Sequence, residues 1–241
     1  MAKPKFELNH ASQGDDARER PMYGIPEAAH YLLLPRATLR SWVLGRYYST
    51  ERGKRHFKPV ISLPNKRLPL LSFFSLVEAH VLSAFRRQHR IPLPAIRRAV
   101  AYIASRGSSA HPLIEREFET DGAALFIREL GRLIDVSADG QMVMTDVVAS
   151  HLNRIERDSS GTAIRLYPFT RQDGLDDPKW IVIDPCISFG RPALRGTRIP
   201  TAVLAERYKA GDSIDELVHD YGRPRLEIEE AIRCELRAEA A

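Results

Sequence analysis

Residues 23–46 read Y-G-I-P-E-A-A-H-Y-L-L-L-P-R-A-T-L-R-S-W-V-L-G-R, and this stretch decides the fold. Pro26 suits the first turn of a helix, where its missing N–H would have no intrahelical partner. Glu27 then stands near the positive end of that helix's dipole. Ala28, Ala29 and Leu32 recur at helical spacing, and Pro35 ends this helix and starts a second. In the second, Leu39, Trp42 and Val43 form an apolar face, Arg36 and Arg40 share the opposite face, and Gly45 closes it. Two short helices, a tight turn and outward arginines on the second helix make a helix-turn-helix pattern.

Working outward, residues 46–70 mix cations with β-formers: Arg46, Arg52, Lys54, Arg55, His56, Lys58, Lys66 and Arg67, with Tyr47, Tyr48 and Phe57 between them. Phe57–Ile61 and Leu68–Leu71 are expected to pair as the wing of a winged helix. Ser72 precedes a long periodic apolar run, Phe73 to Phe85, that ends in Arg86, Arg87, His89 and Arg90, cations suited to a helix C-terminus. A further helix, Pro94 to Ser105, turns Ile96, Val100 and Ile103 inward and Arg97 and Arg98 outward. Residues 1–20, with few apolar residues, read as a mobile arm.

Beyond this, Glu117–Thr120 and Ala124–Arg128 are expected as two strands joined at Asp121-Gly122, a hairpin signal. Val143–Leu152 reads as a helix and Ala163–Tyr167 as a strand. The polar run 171–179 marks a boundary. A short strand follows, Trp180–Ile183, then helices Pro200–Lys209, Ser213–Tyr221 and Leu226–Arg237, the second opened by a Ser213/Glu216 capping box. The expected fold is mostly α (α+β). It comprises an arm (1–20), a winged helix-turn-helix DNA-binding domain (21–110), a small middle β/α segment (111–172) and a C-terminal three-helix, helix-turn-helix-like domain (180–241).

The 241 residues carry a formal net charge of +5, but unevenly. Residues 1–110 hold 19 Lys and Arg against 7 Asp and Glu, a net of +12, and the remainder holds 17 against 24, a net of −7. A basic half suits a polyanion; the acidic half suits something else. No run approaches the roughly 18–20 apolar residues of a membrane span, and the first twenty residues do not read as a signal peptide. Cys186 and Cys234, the only cysteines, cannot build a disulfide framework, so a reducing cytoplasm is expected, with Cys186 buried.

The candidate DNA-binding residues are Arg36, Thr38, Arg40, Ser41, Arg46, Lys54, Arg55 and Lys58. Arg36, Arg40 and Arg46 suit phosphates or guanine edges, whereas Lys54, Arg55 and Lys58 suit phosphates. Tyr47 and Tyr48 suit packing or sugar contacts. In the last helix Glu227, Glu229 and Glu230 repel phosphate, only partly offset by Arg223 and Arg225, so a protein-facing role is expected there. Gly190, Gly196, Thr197 and Arg198 match neither a P-loop nor a dinucleotide fingerprint. They read as a structural loop with Asp184 and Arg198 as internal partners, or else as a patch gripping a protein. No enzyme, cofactor or metal site is expected: Asp173, Asp176 and Asp177 form a linker run, and the eight histidines are scattered, with His80 at the core or its edge.

Tyr23 through Ala104 resembles the MerR-type winged helix-turn-helix, on the stretches I-P-E-A-A-H-Y-L, T-L-R-S-W, F-F-S-L-V-E-A-H-V-L-S-A-F-R-R and I-P-L-P-A-I-R-R-A-V. The long dimerising coiled coil and effector cysteines of many relatives are absent, so a metal sensor is not expected. Residues 183–200, I-D-P-C-I-S-F-G-R-P-A-L-R-G-T-R-I-P, resemble the signature of a small bacterial domain family of unknown function that includes VapB-type antitoxins. The resemblance implies a cytoplasmic antitoxin that binds operator DNA as a homodimer and neutralises a PIN-like ribonuclease toxin. Arg198, Arg233 and Arg237 are then candidates for partner binding, because cations match the acidic site of such a nuclease. The alternative is a stand-alone MerR-like regulator without a toxin.

Overall fold

The computed structural model describes residues 16–236 apart from 51–52, 90, 106–109, 116–117, 135–137 and 172–176. The chain begins with β1 (Tyr23–Gly24), α1 (Ile25–Tyr31) and α2 (Arg36–Leu44). The Glu27 carboxylate accepts the Gly24 N–H at 3.3 Å, which satisfies a donor at the start of α1. Pro35 precedes α2, and Gly45, at φ +73°, ends it in a conformation that a side chain would strain.

The hairpin that follows is β2 (Arg46–Thr50) with β3 (Gly53–Phe57), not the expected pairing of 57–61 with 68–71. Gly53, at φ +106°, supplies the left-handed residue at the turn. The expected wing strands have other partners. Val60 and Ile61 both donate their N–H to the Trp42 carbonyl, at 2.7 and 3.1 Å, which ties that segment to the end of α2. β4 (Leu70–Leu71) pairs antiparallel with β1, burying Leu71 beneath the first helix.

The main core is built on α3 (Phe73–His89), which is buried from Phe73 through Phe85. Ser72 caps it, its hydroxyl accepting the Ser75 N–H at 3.2 Å. α4 (Leu93–Ala104) packs on α5 (Ala123–Ile134), and α6 (Ala138–Leu152) packs on α3. From Phe118 on, the expected strands are instead a π-turn, Phe118–Gly122, leading into α5, while Glu117 lies outside the described residues. The apolar residues Phe126, Ile127 and Leu130 are buried at helical spacing, and the Phe126 ring lies 4.6 Å from that of Phe85. Gly122 is not among the left-handed glycines, which a two-residue hairpin turn would require. β5 (Ile155–Arg157) and β6 (Ala163–Leu166) form a second hairpin, and Leu166 bridges to Ile183.

β7 (Ile181–Val182) pairs with β8 (Ala193–Leu194), followed by α7 (Thr201–Ala210), α8 (Ile214–Tyr221) and α9 (Arg225–Leu236). Leu194, Leu204, Leu217, Ile228, Ala231 and Cys234 share a separate core. Gly211 and Gly222, both left-handed, end α7 and α8. The Ser213 hydroxyl accepts the Glu216 N–H at 3.2 Å while the Glu216 carboxylate accepts the Ser213 N–H at 2.7 Å, the capping box read from the sequence. This unit rests on α1: His30 Nε2–H donates to the Cys234 carbonyl at 2.9 Å. Cys186 is exposed, contrary to expectation, because it sits in the turn after β7 that the Ile187 N–H closes on the Asp184 carbonyl at 3.0 Å; Cys234 is the buried thiol.

One buried polar cluster gives the fold a pH dependence. His111 Nδ1 lies 2.9 Å from Glu78 and Nε2 3.3 Å from Glu19. Burial pulls the imidazole down, but these two carboxylates outweigh it and hold His111 above its ordinary 6.5. Burial pushes the Glu78 carboxyl up, against the pull of His111. Both groups bind their proton more tightly folded than unfolded. The stability from His111 is therefore complete below about pH 6.5 and is lost as pH rises through the higher folded value. Thermal melts should show Tm falling as pH rises above about 6.5, and His111→Gln should flatten that slope. An unchanged slope in His111→Gln would contradict the assignment.

Candidate nucleic-acid interface

α2 buries Leu39, Trp42 and Val43 and leaves Arg36 and Arg40 exposed, one helical turn apart. Thr38 is 9% exposed, and its carbonyl accepts the Ser41 hydroxyl at 2.8 Å. These two candidates are thus turned toward the helix and its core, leaving the arginines as the outward chemistry of α2.

Arg46 is exposed where β2 leaves Gly45. The hairpin register sets Tyr48 opposite Arg55 and Ser49 opposite Lys54. Lys54 and Arg55 are neighbours on β3; their side chains lie outside the described residues. Tyr47 is 73% exposed and its ring lies tilted against that of His56, centroids 4.6 Å apart, a packing contact at the ribbon's surface. Lys58 is exposed, and its carbonyl accepts Arg97 Nη2 from α4 at 2.6 Å, fixing the base of the ribbon to the helical core. A helix with two outward arginines beside a two-stranded basic ribbon is an arrangement that can track phosphates and admit a helix to a major groove.

Of the expected arm, 1–15 lie outside the described residues. Arg18 is held at the body, 5.5 Å from the Phe74 ring centre and 3.5 Å from Asp158.

The C-terminal unit differs electrostatically. Arg223 meets Glu227 at 2.6 Å, and Arg225 meets Glu229 at 2.8 Å and Asp215 at 2.5 Å, so the carboxylates opening α9 are neutralised locally. Glu230 is fully buried between Arg171, at 3.0 Å, and Arg233. Arg233 is exposed but paired within the fold, Arg198 is exposed, and Arg237 lies outside the described residues. Asp184 pairs with Arg165 at 2.8 Å rather than with Arg198, because β6 runs alongside the start of the loop. Asp177, read as part of a linker, is buried and accepts the N–H groups of Thr170 and Arg171; Asp173 and Asp176 lie outside the described residues. His80 is buried and stacked on Phe169, as expected of a core histidine. Phe189 escaped the sequence reading; its only signal is a large aromatic set before a glycine in a polar loop.

Comparison with known proteins gives matches at both ends. Residues 21–100 match a family described as "Putative DNA-binding HTH domain", and residues 181–234 match one described as a protein of unknown function (DUF433). The "Putative antitoxin VapB45" of Mycobacterium tuberculosis (strain ATCC 25618 / H37Rv) is 28% identical over 220 residues, 84% of this chain and 88% of its own length. "Uncharacterized protein Rv2308" of the same organism is 24% identical over 226 residues, 89% of this chain and 90% of its own length. The X-ray crystal structure of Rv2018 from Mycobacterium tuberculosis shares the fold, with a TM-score of 0.61 and 21% identity over 89% of this chain and 98% of that one. The chain thus joins an N-terminal segment similar to a helix-turn-helix family to a C-terminal segment similar to the DUF433 family, on an α+β framework.

Proposed function

We propose that the chain is the antitoxin of a type II toxin–antitoxin pair. It binds the operator of its own operon through a MerR-like winged helix and neutralises a PIN-like ribonuclease toxin through its C-terminal unit. The observation that carries this reading is the outward Arg36–Arg40 pair on α2 beside the basic β2–β3 ribbon, in a chain whose other end is a DUF433 domain. The antitoxin-named relative, aligned along most of both chains, supports the toxin half. The neutralised carboxylates of α9 give the C-terminal unit no attraction for phosphate and suit it to protein.

In this reading the chain works in the cytoplasm as a homodimer, since paired recognition helices read paired half-sites. It needs no cofactor and catalyses no reaction. Arg36, Arg40 and Arg46 meet DNA from the helix side, and Lys54, Arg55 and Lys58 from the ribbon. Arg198 is the stronger of the cations offered for toxin binding, because Arg233 is engaged with Glu230.

Co-expression with a PIN-like ribonuclease encoded beside the gene tests the reading. Growth should be rescued and the two proteins should co-purify. A ribonuclease that still arrests growth and does not co-purify contradicts the toxin half; with operator binding retained, the chain would be a stand-alone regulator.

A further inference from the structure

Ser188, Phe189 and Gly190 follow one another with φ of 49°, 54° and 74°, a turn of left-handed helix. Glycine adopts this conformation at little steric cost, but serine and phenylalanine do not. Phe189, in the middle of the turn, is 92% exposed, more than any other large apolar residue among those described.

The turn is braced. The Gly190 N–H donates to the Ile187 carbonyl at 2.9 Å, the Arg191 N–H to the Ser188 carbonyl at 3.0 Å, and the Ser188 hydroxyl to the Arg198 carbonyl at 3.2 Å. Gly190 lies against β1, where an added Cβ would stand 2.5 Å from the Tyr23 hydroxyl oxygen and 2.9 Å from the Met22 sulfur. Arg191 pairs with Glu27 of α1. At the loop's root the Asp184 carboxylate accepts the Cys186 N–H and Arg165 Nε, both at 2.8 Å. An aromatic held in water on a strained, fixed backbone contributes little to its own fold. Such an outlier belongs to binding, where preorganisation lowers the entropic cost of association.

We infer that Phe189 is the anchor of a protein-docking surface and enters an apolar pocket edged by carboxylates on the ribonuclease partner; the inference rests on the proposed antitoxin function. Arg195 and Arg198, both exposed, supply a positive rim that complements such an edge. Aromatic and arginine side chains are the types that dominate protein hot spots. Protein is favoured over DNA because Arg191 is already offset by Glu27 and the rest of this unit carries carboxylates matched by its own arginines.

The test uses the full chain and the adjacent ribonuclease, with dissociation constants measured for that partner and for operator DNA. Phe189→Ala should weaken ribonuclease binding by about 30-fold or more, the scale of a hot-spot residue, with operator affinity changed by less than about two-fold. Phe189→Asn should weaken it likewise and raise Tm by about 2 °C, because asparagine tolerates the left-handed conformation. Equal ribonuclease binding by wild type and Phe189→Ala would overturn this surface while leaving the antitoxin reading intact. A wild-type chain that does not bind the ribonuclease would overturn both. Loss of operator affinity in Phe189→Ala, with ribonuclease binding unchanged, would make the loop a DNA wedge and also overturn the inference.

Discussion

Replacing Arg154 by Met is expected to cost the fold about 3–5 kcal/mol, because it strips the donors from four backbone carbonyls, and to lower Tm by about 10 °C. Arg154 is 3% exposed. Its Nε donates to the Tyr167 carbonyl at 2.7 Å and its Nη1 to the Asp177 carbonyl at 2.9 Å. Nη2 reaches the Pro168 and Pro178 carbonyls at 3.3 and 3.4 Å, and the guanidinium lies 4.3 Å from the Phe169 ring centre. Burial pulls its pKa down and the neighbouring Asp177 opposes that, so the side chain stays charged. Methionine fills the volume of the stem but leaves the carbonyls without donors, each a desolvation cost. Lysine restores a charge without the planar fork and should recover only part of the loss. Urea melts of Arg154→Met and Arg154→Lys measure this. A loss under about 1 kcal/mol in Arg154→Met would mean that these bonds are replaced by water. Because the bonded carbonyls belong to the segment leading into β7, the same variant should loosen the C-terminal unit from α1.

Arg40→Ala is expected to weaken operator binding by about 5- to 150-fold and to narrow the gap between operator and unrelated DNA, the behaviour of a base-reading arginine. Arg40 is exposed on the face of α2 opposite Leu39, Trp42 and Val43, so its loss opens no cavity and should leave Tm unchanged. That separates it from Trp42, 1% exposed, whose carbonyl holds Val60 and Ile61 and whose removal would damage the whole motif. Competition binding with operator and scrambled duplexes measures both quantities. Equal affinity for operator in wild type and Arg40→Ala would remove this face of α2 from the interface.

The helices that were legible carry their own punctuation. Pro26, Pro35 and Gly45 bound α1 and α2, Ser72 opens α3, and Ser213 with Glu216 opens α8. The first wing reading failed because short β-prone segments do not name their partners. Leu70–Leu71 found β1 and residues 60–61 found the Trp42 carbonyl, contacts set by tertiary packing. Asp121-Gly122 resembles a hairpin turn, but Phe126 and Leu130, four residues apart, bury a helical stripe that overrides it. The candidate site was legible as charge and spacing at Arg36 and Arg40. The inward turn of Thr38, the pairing of Asp184 with Arg165 and the exposure of Cys186 and Phe189 depend on three-dimensional neighbours that no local spacing encodes.

The central claim is that the basic front of the chain grips DNA through α2 and the β2–β3 ribbon. Its most direct test is the affinity of the full chain for its operator as a function of salt. With Arg36, Arg46, Lys54, Arg55 and Lys58 as phosphate-facing cations, log K should fall against log salt with a slope of about −4.5 per chain, roughly −0.9 for each contact. Lys54→Ala should reduce the slope by about 1 and weaken operator and unrelated DNA alike. A flat salt dependence, or a slope and affinity unchanged in Lys54→Ala, would contradict the account.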